Sequence, residues 1–218
     1  MRRVIAFSAL VNSATYHINI FMSLTISLTP EQVEGRLQNL RIPCRFTAEE
    51  KLLYSTTPVI AARYPVFGFP TPVDNSSLVL ARIKDIVGTN PKQPPSFFDH
   101  PWYASEQFME KACPVGWHFI CSDVIPESIG QPLNYLSRLA QFGMEAPSAI
   151  EVVLMLFLHY ADSGEQLLMR KHTWCADEAG IDSHVTAGAF GRNGLFLSVH
   201  PPGFASRGLG ICGKIKIP

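Results

Sequence analysis

The feature that most constrains the fold is a nearly uninterrupted apolar run over residues 149–160. It follows Pro147 and Ser148 and stops before Gly164, so residues that favour the start and the end of a helix bracket it. A helix that is apolar on almost every face is buried rather than amphipathic. At about 15 residues it is shorter than the roughly 20 residues that cross the hydrocarbon of a bilayer. The run therefore predicts the central helix of a core and argues against a membrane partner.

The periodicity changes after Gly164, where short alternating segments replace the long apolar run. The dipeptide Asn193-Gly194 is a strong signal for a hairpin turn between two strands. The segments that we expect to form strands are residues 172–176, 185–190, 195–200 and 210–217. The last quarter of the chain is thus predicted to be a small, mainly antiparallel β unit.

Helix signals dominate the chain before this unit. Thr29 and Thr47 are each followed three residues later by Gln32 or Glu50, which is the pattern of a capping box. The helices that we expect cover residues 30–40, a stretch from Ala48 to before Pro58, and residues 77–87 and 132–142, with a single strand at 115–122. The predicted fold class is α+β, with helices over roughly residues 30–165 packed with the β unit over residues 166–218.

The domain organisation follows from proline and from the N-terminal composition. Residues 22–218 are predicted to form a single α+β globular domain, with a possible internal boundary at the proline-rich segment 91–95. Arg2 and Arg3 precede a short apolar stretch that resembles a weak secretion signal. We interpret residues 1–21 as a poorly ordered or non-native extension before Met22 and expect a cytoplasmic protein, with secretion through residues 1–21 as the alternative.

Composition limits the classes of partner and cofactor. The 218 residues are 47% hydrophobic, which is enough for a sizeable core. Eighteen Lys and Arg residues balance 18 Asp and Glu residues without a long basic block, so nucleic acid is not expected as a partner. The five cysteines form no Cys-x-x-Cys pair, which argues for reduced, buried thiols rather than disulfides or a common zinc module. No cofactor and no metal are expected.

A cysteine nucleophile with a histidine base is the main catalytic hypothesis. Cys175, between Trp174 and Asp177, is the first candidate thiol, and His184 and His200 are the candidate bases. A second hypothesis is a metal site, whose candidate ligands are His172, Cys175, Asp177, Asp182, His184 and His200. Strand alternation argues against it, because His172 and Cys175 would face opposite sides of a continuous strand. An even-length turn at residues 193–194 would put His184 and His200 on opposite faces of the hairpin.

Carboxylates near the apolar run suggest the hypothesis of a glycosidase pair. Glu145, Glu151 and Glu165 carry the acidic groups, but nothing in their spacing sets the separation that such a mechanism needs. Because Glu151 lies in a helix that is expected to be buried, we predict that it caps the helix or pairs with an internal partner. A buried carboxylate with a strongly perturbed pKa can mark a functional site.

Four segments near the C-terminus share a pattern, with a tryptophan in the first and glycines in the others: residues 173–177, 188–190, 194–195 and 208–211. With these segments the chain resembles the end of a C-type-lectin-like or formylglycine-generating-enzyme-like domain. It lacks the Glu-Pro-Asn or Gln-Pro-Asp and Trp-Asn-Asp motifs with which calcium-dependent lectins hold sugar. The resemblance therefore implies a ligand-presenting scaffold without calcium and without a transferable active site.

The loops of this scaffold, residues 178–183 and 200–207, are the expected recognition surface. The residues that we expect to contact a ligand are Trp174, Asp177, Asp182, His200, Phe204 and Arg207. The predicted function is a binding or interaction module for an unidentified protein or small molecule, and the alternative is a small hydrolase or transferase with a Cys/His site. A pocket with convergent polar groups near Trp174, His184 and His200 would favour a small molecule, and a flat surface would favour a protein.

Overall fold

A computed structural model describes residues 25–58, 60 and 62–217. The α-helices are α1 (Pro30–Asn39), α2 (Ala48–Leu53), α3 (Leu80–Val87), α4 (Leu136–Ala140) and α5 (Ala149–Ser163). The strands are β1 (Thr25–Ser27), β2 (Val66–Thr71), β3 (Gly116–Cys121), β4 (Met144–Glu145), β5 (His172–Glu178), β6 (His184–Gly191), β7 (Gly194–His200), β8 (Leu209–Gly210) and β9 (Lys214–Ile215). Short 3-10 turns occur at Gln107–Glu110, Pro126–Ser128 and Leu133–Tyr135.

The strands form two mixed sheets that share the C-terminal segment of the chain. One sheet has the order β1-β2-β3-β9-β4, with β1 parallel to β2 and the other pairs antiparallel. The second has the order β7-β6-β5-β8, with β8 parallel to β5. The chain leaves the four-stranded sheet at β8 and enters the five-stranded sheet at β9. The C-terminal segment therefore ties the two sheets together.

Helix α5 lies at the centre of the core, as the apolar run predicts. Its first ten residues are all buried, and it packs against α1, β3, β5 and β6. Ser148 caps the helix with Glu151 at the third position, and Gly164 ends it in the left-handed conformation. The helix therefore has one face toward each sheet. Among the described residues, no helix combines the length and the apolarity that a membrane span requires.

The predicted division into a helical first two-thirds and a small C-terminal β unit is wrong. Four strands, β1 to β4, lie before residue 166 and build most of the five-stranded sheet. Strand β2 is buried at every position, so it shows no alternation, and Pro65 and Pro70 make its sequence look like a loop. Strands β1 and β4 have only three and two residues, too few for a period to be visible.

Local signals predicted the helix starts better than the remaining boundaries. The capping boxes at Thr29 and Thr47 are confirmed, with both reciprocal hydrogen bonds present in each. The helix expected over residues 132–142 is instead a 3-10 turn followed by the five-residue α4. The strand expected over residues 210–217 is divided between β8 and β9, because the glycine-containing segment between them crosses from one sheet to the other.

The hydrophobic core continues across the proline-rich segment 91–95. Leu80 and Ile83 of α3 and Phe97 beyond the prolines belong to the same buried cluster around α5. Phe97 also forms a β-bridge with Leu195 at the start of β7. The extension that we predicted for residues 1–21 lies outside the described residues.

A bulge in the β6–β7 hairpin reverses the side-chain alternation that we assumed. Gly191 faces Gly194, whereas Gly188 faces Phe196, so β6 contains one extra residue between these pairs. The positive φ of Ala189 (44°) lies at this irregularity. As a result His184 and His200 are direct cross-strand partners on one face. Our prediction of opposite faces is wrong because it counted residues through a regular hairpin.

We expect Gly188→Ala to destabilise the protein, because this glycine allows a close approach of two backbones. A Cβ at this position would collide with the carbonyl oxygen of Lys171, and the φ angle of Gly188 is 153°. Overpacking of this kind lowers the free energy of unfolding by about 1–3 kcal/mol. Urea unfolding monitored by circular dichroism measures the change. The control is Gly203→Ala, which meets no atom within 4 Å; similar unfolding midpoints for the two variants would contradict the prediction.

Candidate functional site

A buried pair of ionisable side chains joins helix α5 to the five-stranded sheet. His118 on β3 and Glu151 in the first turn of α5 are each only 1% exposed. The His118 Nδ1 atom lies 2.6 Å from Glu151 Oε1. Burying charged groups is expensive unless they are paired and hydrogen-bonded. The prediction that Glu151 caps its helix and pairs internally is therefore confirmed.

The surroundings of His118 provide acceptors for both ring nitrogens. Its Nε2 atom lies 2.9 Å from the carbonyl oxygen of Pro114 and 3.0 Å from Thr71 Oγ1. The Thr71 hydroxyl donates its own hydrogen to the Pro114 carbonyl, so it accepts from the ring. A carbonyl oxygen and a carboxylate can only accept, so each ring nitrogen faces an acceptor. The ring also stacks on Phe69, with ring centroids 5.0 Å apart.

The carboxylate of Glu151 uses both oxygens in bonds within the protein. Oε2 accepts from the backbone N–H and the hydroxyl of Ser148, at 2.7 and 2.8 Å. Oε1 accepts from His118 and from Lys214 Nζ, which lies 2.8 Å away. Burial by itself would raise the pKa of Glu151, but the hydrogen bonds and positive charges of His118 and Lys214 outweigh it and lower the pKa to about 2. Glu151 is therefore ionised at neutral pH.

Lys214 connects this buried network to a cavity of about 610 Å³. The volume lies within the range of small-molecule sites, about 300–1,000 Å³. Its apolar wall consists of Leu136, Ala140, Met144, Ala146 and Ala176. Its ionisable lining residues are Glu145, Glu151, Cys175, His184, Lys214 and Lys216. The cavity thus combines an apolar body with a charged end.

Two lysines and one exposed carboxylate form the charged end of the cavity. Lys214 Nζ lies 3.3 Å from Glu145 Oε1, and Lys216 Nζ lies 3.6 Å from Glu145 Oε2. Burial would lower the pKa of Lys214, but Glu151 and Glu145 outweigh it and raise the pKa. Glu145 is the exposed carboxylate of this group, whereas Glu151 is buried, so two ammonium groups border one exposed carboxylate. Such a pair of ammonium groups can interact with an anionic ligand group.

The candidate thiol Cys175 is fully buried on β5. Its Sγ atom lies 3.8 Å from the carbonyl oxygen of Thr173. Burial, with smaller contributions from Asp177 and other groups, raises the pKa of the Cys175 thiol well above its usual value. Cys175 lines the cavity together with His184, but among the described residues the only cysteine–histidine hydrogen bond joins Cys113 Sγ and His118 Nε2, at 3.9 Å, and both of these side chains are buried. These conditions oppose a reactive thiolate.

The candidate bases His184 and His200 lie in different surroundings although they face each other across β6 and β7. His184 lines the cavity, and its Nδ1 atom is buried without a hydrogen-bond partner among the described residues. The ring of His200 stacks on Phe204, with centroids 4.1 Å apart, and meets Trp174 edge-on. Burial lowers the pKa of His200 below its usual value. Only His184 of these two reaches the cavity.

The expected ligand-binding residues do not converge on one surface. Trp174 is fully buried, and Asp177 accepts a hydrogen bond from the backbone N–H of Ala149 at 2.6 Å, so it holds the start of α5. Asp182 and Arg207 are exposed in loops, and Phe204 is partly covered by its stack on His200. None of the loop residues 178–183 and 201–207 lines the large cavity. The cavity lies beside β9 and α4 instead.

Sequence reasoning missed most of the residues that form this site. The sequence predicts that His118 lies in one strand and that Lys214 and Lys216 lie at alternating positions of another. Neither pattern indicates that these side chains meet. Glu151 was the available signal, because an acidic residue in the first turn of a buried helix needs a partner. Its partners come from β3 and β9. These two strands pair through one residue pair, Ile120 with Lys214, and so short a pairing leaves no pattern in the sequence.

Comparison of the chain with protein-family models, with curated proteins and with solved structures found no match. The resemblance of residues 173–211 to C-type-lectin-like domains is not tested by this result and stays a prediction. The fold and the site together describe an α+β protein with a charged, partly apolar cavity beside a buried ion pair.

We expect the buried thiols of the folded protein to resist modification. Cys113, Cys121, Cys175 and Cys212 are buried, and burial raises the pKa of each thiol. A Cys44→Ser background removes the one partly exposed thiol. Its reaction with an aromatic disulfide reagent at neutral pH should be slow when the protein is folded and complete in guanidinium. Rapid modification of Cys175 in the folded protein would support the Cys/His hypothesis instead.

We expect acid to weaken the fold through Glu151. The pKa of this carboxyl falls from 4.5 to about 2 on folding, so the unfolded chain takes up the proton first as the pH drops. The stabilisation is complete above pH 4.5 and is lost as the pH falls from 4.5 toward 2. Glu151→Gln should lower the free energy of unfolding at pH 7 by about 3–5 kcal/mol, because it leaves His118 and Lys214 without their shared anion.

The measurement is urea unfolding between pH 7 and pH 2.5 for the wild type and for Glu151→Gln. The variant should lose part of the pH dependence in this window as well as stability at pH 7. Glu49→Gln is the control, since Glu49 is exposed and the variant tests the removal of a carboxylate alone. An unchanged pH slope in Glu151→Gln would contradict the assigned role.

Proposed function

We propose that the protein binds a small molecule with an anionic group in the cavity of about 610 Å³ beside β9. The observation that carries this proposal is Lys214, whose ammonium group is held by a buried carboxylate at the charged end of a largely apolar cavity. The side chain of Lys214 is only 19% exposed, so little of its charge is screened by water. A ligand anion would therefore meet a fixed and partly desolvated cation.

Binding is favoured over acid–base catalysis by the environment of the buried pair. A general acid or base must come within hydrogen-bond reach of the substrate. His118 is 1% exposed and has acceptors at both ring nitrogens, and both oxygens of Glu151 are already engaged. These groups support the position of Lys214. We infer a binding role for the cavity and a structural role for the pair.

A hydrolase or transferase with a Cys/His site has weaker support. The thiol of Cys175 is buried, and its hydrogen bond goes to a backbone carbonyl. A concave site also fits a small molecule better than a protein surface, which would be flatter. We therefore propose a binding module whose recognition surface is the cavity rather than the loops 178–183 and 200–207.

The proposal is tested with amphipathic probes of one chain length: octanoate, octyl sulfate and the uncharged octanol. We expect calorimetry to detect saturable binding of at least one anion in the millimolar range or tighter, and much weaker binding of octanol. Lys214→Gln should weaken binding of the anion by about 10-fold or more, because a charge-assisted hydrogen bond contributes roughly 1.5–3 kcal/mol. Chemical shifts of the Met144 methyl group report whether the probe occupies the cavity.

Lys92→Gln is the matched control, because Lys92 is exposed and does not line the cavity. Thermal unfolding of each variant separates a loss of binding from a loss of fold. Lys216→Gln provides a second test in a more exposed side chain, 58% exposed, whose removal should leave the fold intact. The proposal is overturned if neither anion binds to the wild type. It is also overturned if both anions bind to Lys214→Gln and Lys216→Gln as tightly as to the wild type.

A further inference from the structure

The carboxylate of Glu145 is held by two ammonium groups, one at each oxygen. Oε1 lies 3.3 Å from Lys214 Nζ and Oε2 lies 3.6 Å from Lys216 Nζ. Lys214 and Lys216 are two positions apart at the C-terminal strand, so their side chains start from the same face. The two cations are therefore spaced to receive the two oxygens of a single planar carboxylate. This arrangement specifies the shape of the anion as well as its charge.

The distances from Glu145 to the two lysines are longer than the distance from Glu151 to Lys214. Lys214 lies 2.8 Å from Glu151, compared with 3.3 Å from Glu145. The side chain of Glu145 is 41% exposed, and exposed ion pairs contribute little, about 0.2–1 kcal/mol each. Glu145 also lies on β4, a two-residue strand at the edge of its sheet. Moving this side chain into water therefore requires little free energy.

We propose that the ligand is an amphipathic carboxylate whose carboxyl group takes the place of the Glu145 side chain between Lys214 and Lys216. This inference rests on the proposed function and specifies its ligand class. In the free protein Glu145 occupies the anion position and competes with the ligand. When the ligand binds, its two oxygens accept from the two ammonium groups, and Glu145 turns to solvent. No covalent bond changes in this exchange.

Glu151 keeps Lys214 in place while the exchange occurs. Its Oε1 atom remains bonded to the Lys214 ammonium and to His118, so the cation does not need to reorganise when Glu145 leaves. Glu151 is in this sense a positioning residue that does not touch the ligand carboxylate. A preorganised cation reduces the entropy that binding must overcome.

The apolar wall defines the rest of the ligand. The apolar lining residues include the small side chains of three alanines, which leave room for an alkyl or aryl body; they are Leu136, Ala140, Met144, Ala146 and Ala176. A carboxylate without such a body, for example acetate, would lose the contribution of apolar contact. The chemical class is thus a monocarboxylate with an extended apolar group.

The test compares octanoate binding to the wild-type protein and to Glu145→Gln by calorimetry. Removing the internal competitor should tighten octanoate binding about 3- to 10-fold, which corresponds to the loss of one or two exposed ion pairs. Lys216→Gln should change affinity in the opposite direction, because it removes half of the carboxylate site. Octyl sulfate, whose anionic group is tetrahedral, should bind Glu145→Gln more weakly than octanoate does, and acetate should bind weakly to both proteins.

Glu49→Gln controls for a general change in net charge, since Glu49 is exposed and lies outside the cavity lining. Unchanged or weaker octanoate binding in Glu145→Gln, with the dependence on Lys214 retained, would overturn the competition by Glu145 and leave the proposed function standing. Equal or tighter binding of octyl sulfate than of octanoate by Glu145→Gln would overturn the carboxylate class. Failure of every anion to bind to wild type and variants would overturn both proposals.

Discussion

The carboxylate of Glu151 is the interaction on which the centre of this structure depends. It lies in the dry interior, where an ionised group is stable only with close partners. Ser148 binds it from the start of α5, His118 from β3 and Lys214 from β9. These contacts hold the N-terminal end of the central helix against the five-stranded sheet and set the position of the neighbouring strands at the same time.

A second carboxylate holds the same end of α5 to the other sheet. Asp177 on β5 accepts a hydrogen bond from the backbone N–H of Ala149, and it also pairs with Lys111. Negative groups at the start of a helix interact favourably with the exposed backbone N–H groups and with the helix dipole. Because His118 and Lys214, the partners of Glu151, lie in one sheet and Asp177 lies in the other, the beginning of α5 is the point where the two halves of the fold are joined. This explains why residues far apart in the chain meet beside it.

The cavity owes its character to this junction. The charged end exists because Lys214 must reach inward to Glu151, while the apolar wall comes from α4, β4 and the segment that leads into α5. The same ion pair that stabilises the fold therefore places a cation where a ligand can meet it. Buried charged networks are often interpreted as active sites. Here the hydrogen bonds of His118 and Glu151 are directed inward, so a structural role accounts better for their geometry than acid–base chemistry.

Sequence patterns were sufficient wherever the determining interaction was local. The capping boxes at Thr29 and Thr47, and the burial of the apolar run over residues 149–158, depend on side chains within a few positions of each other, and these predictions are confirmed. The internal pairing of Glu151 followed from the cost of burying an unpartnered charge. The strands and their sheets were harder to predict, because β2 is buried on both faces and β1, β4, β8 and β9 have only two or three residues each. The bulge at Gly188 shows the limit most clearly, since one extra residue placed His184 opposite His200. The local chemistry of capping, apolar periodicity and buried charge can thus be inferred from the sequence. The strand pairing and the register across the bulge depend on backbone contacts that no local pattern specifies. Glu151 meets His118 and Lys214 across 33 or more positions, and such contacts form only when the whole core packs.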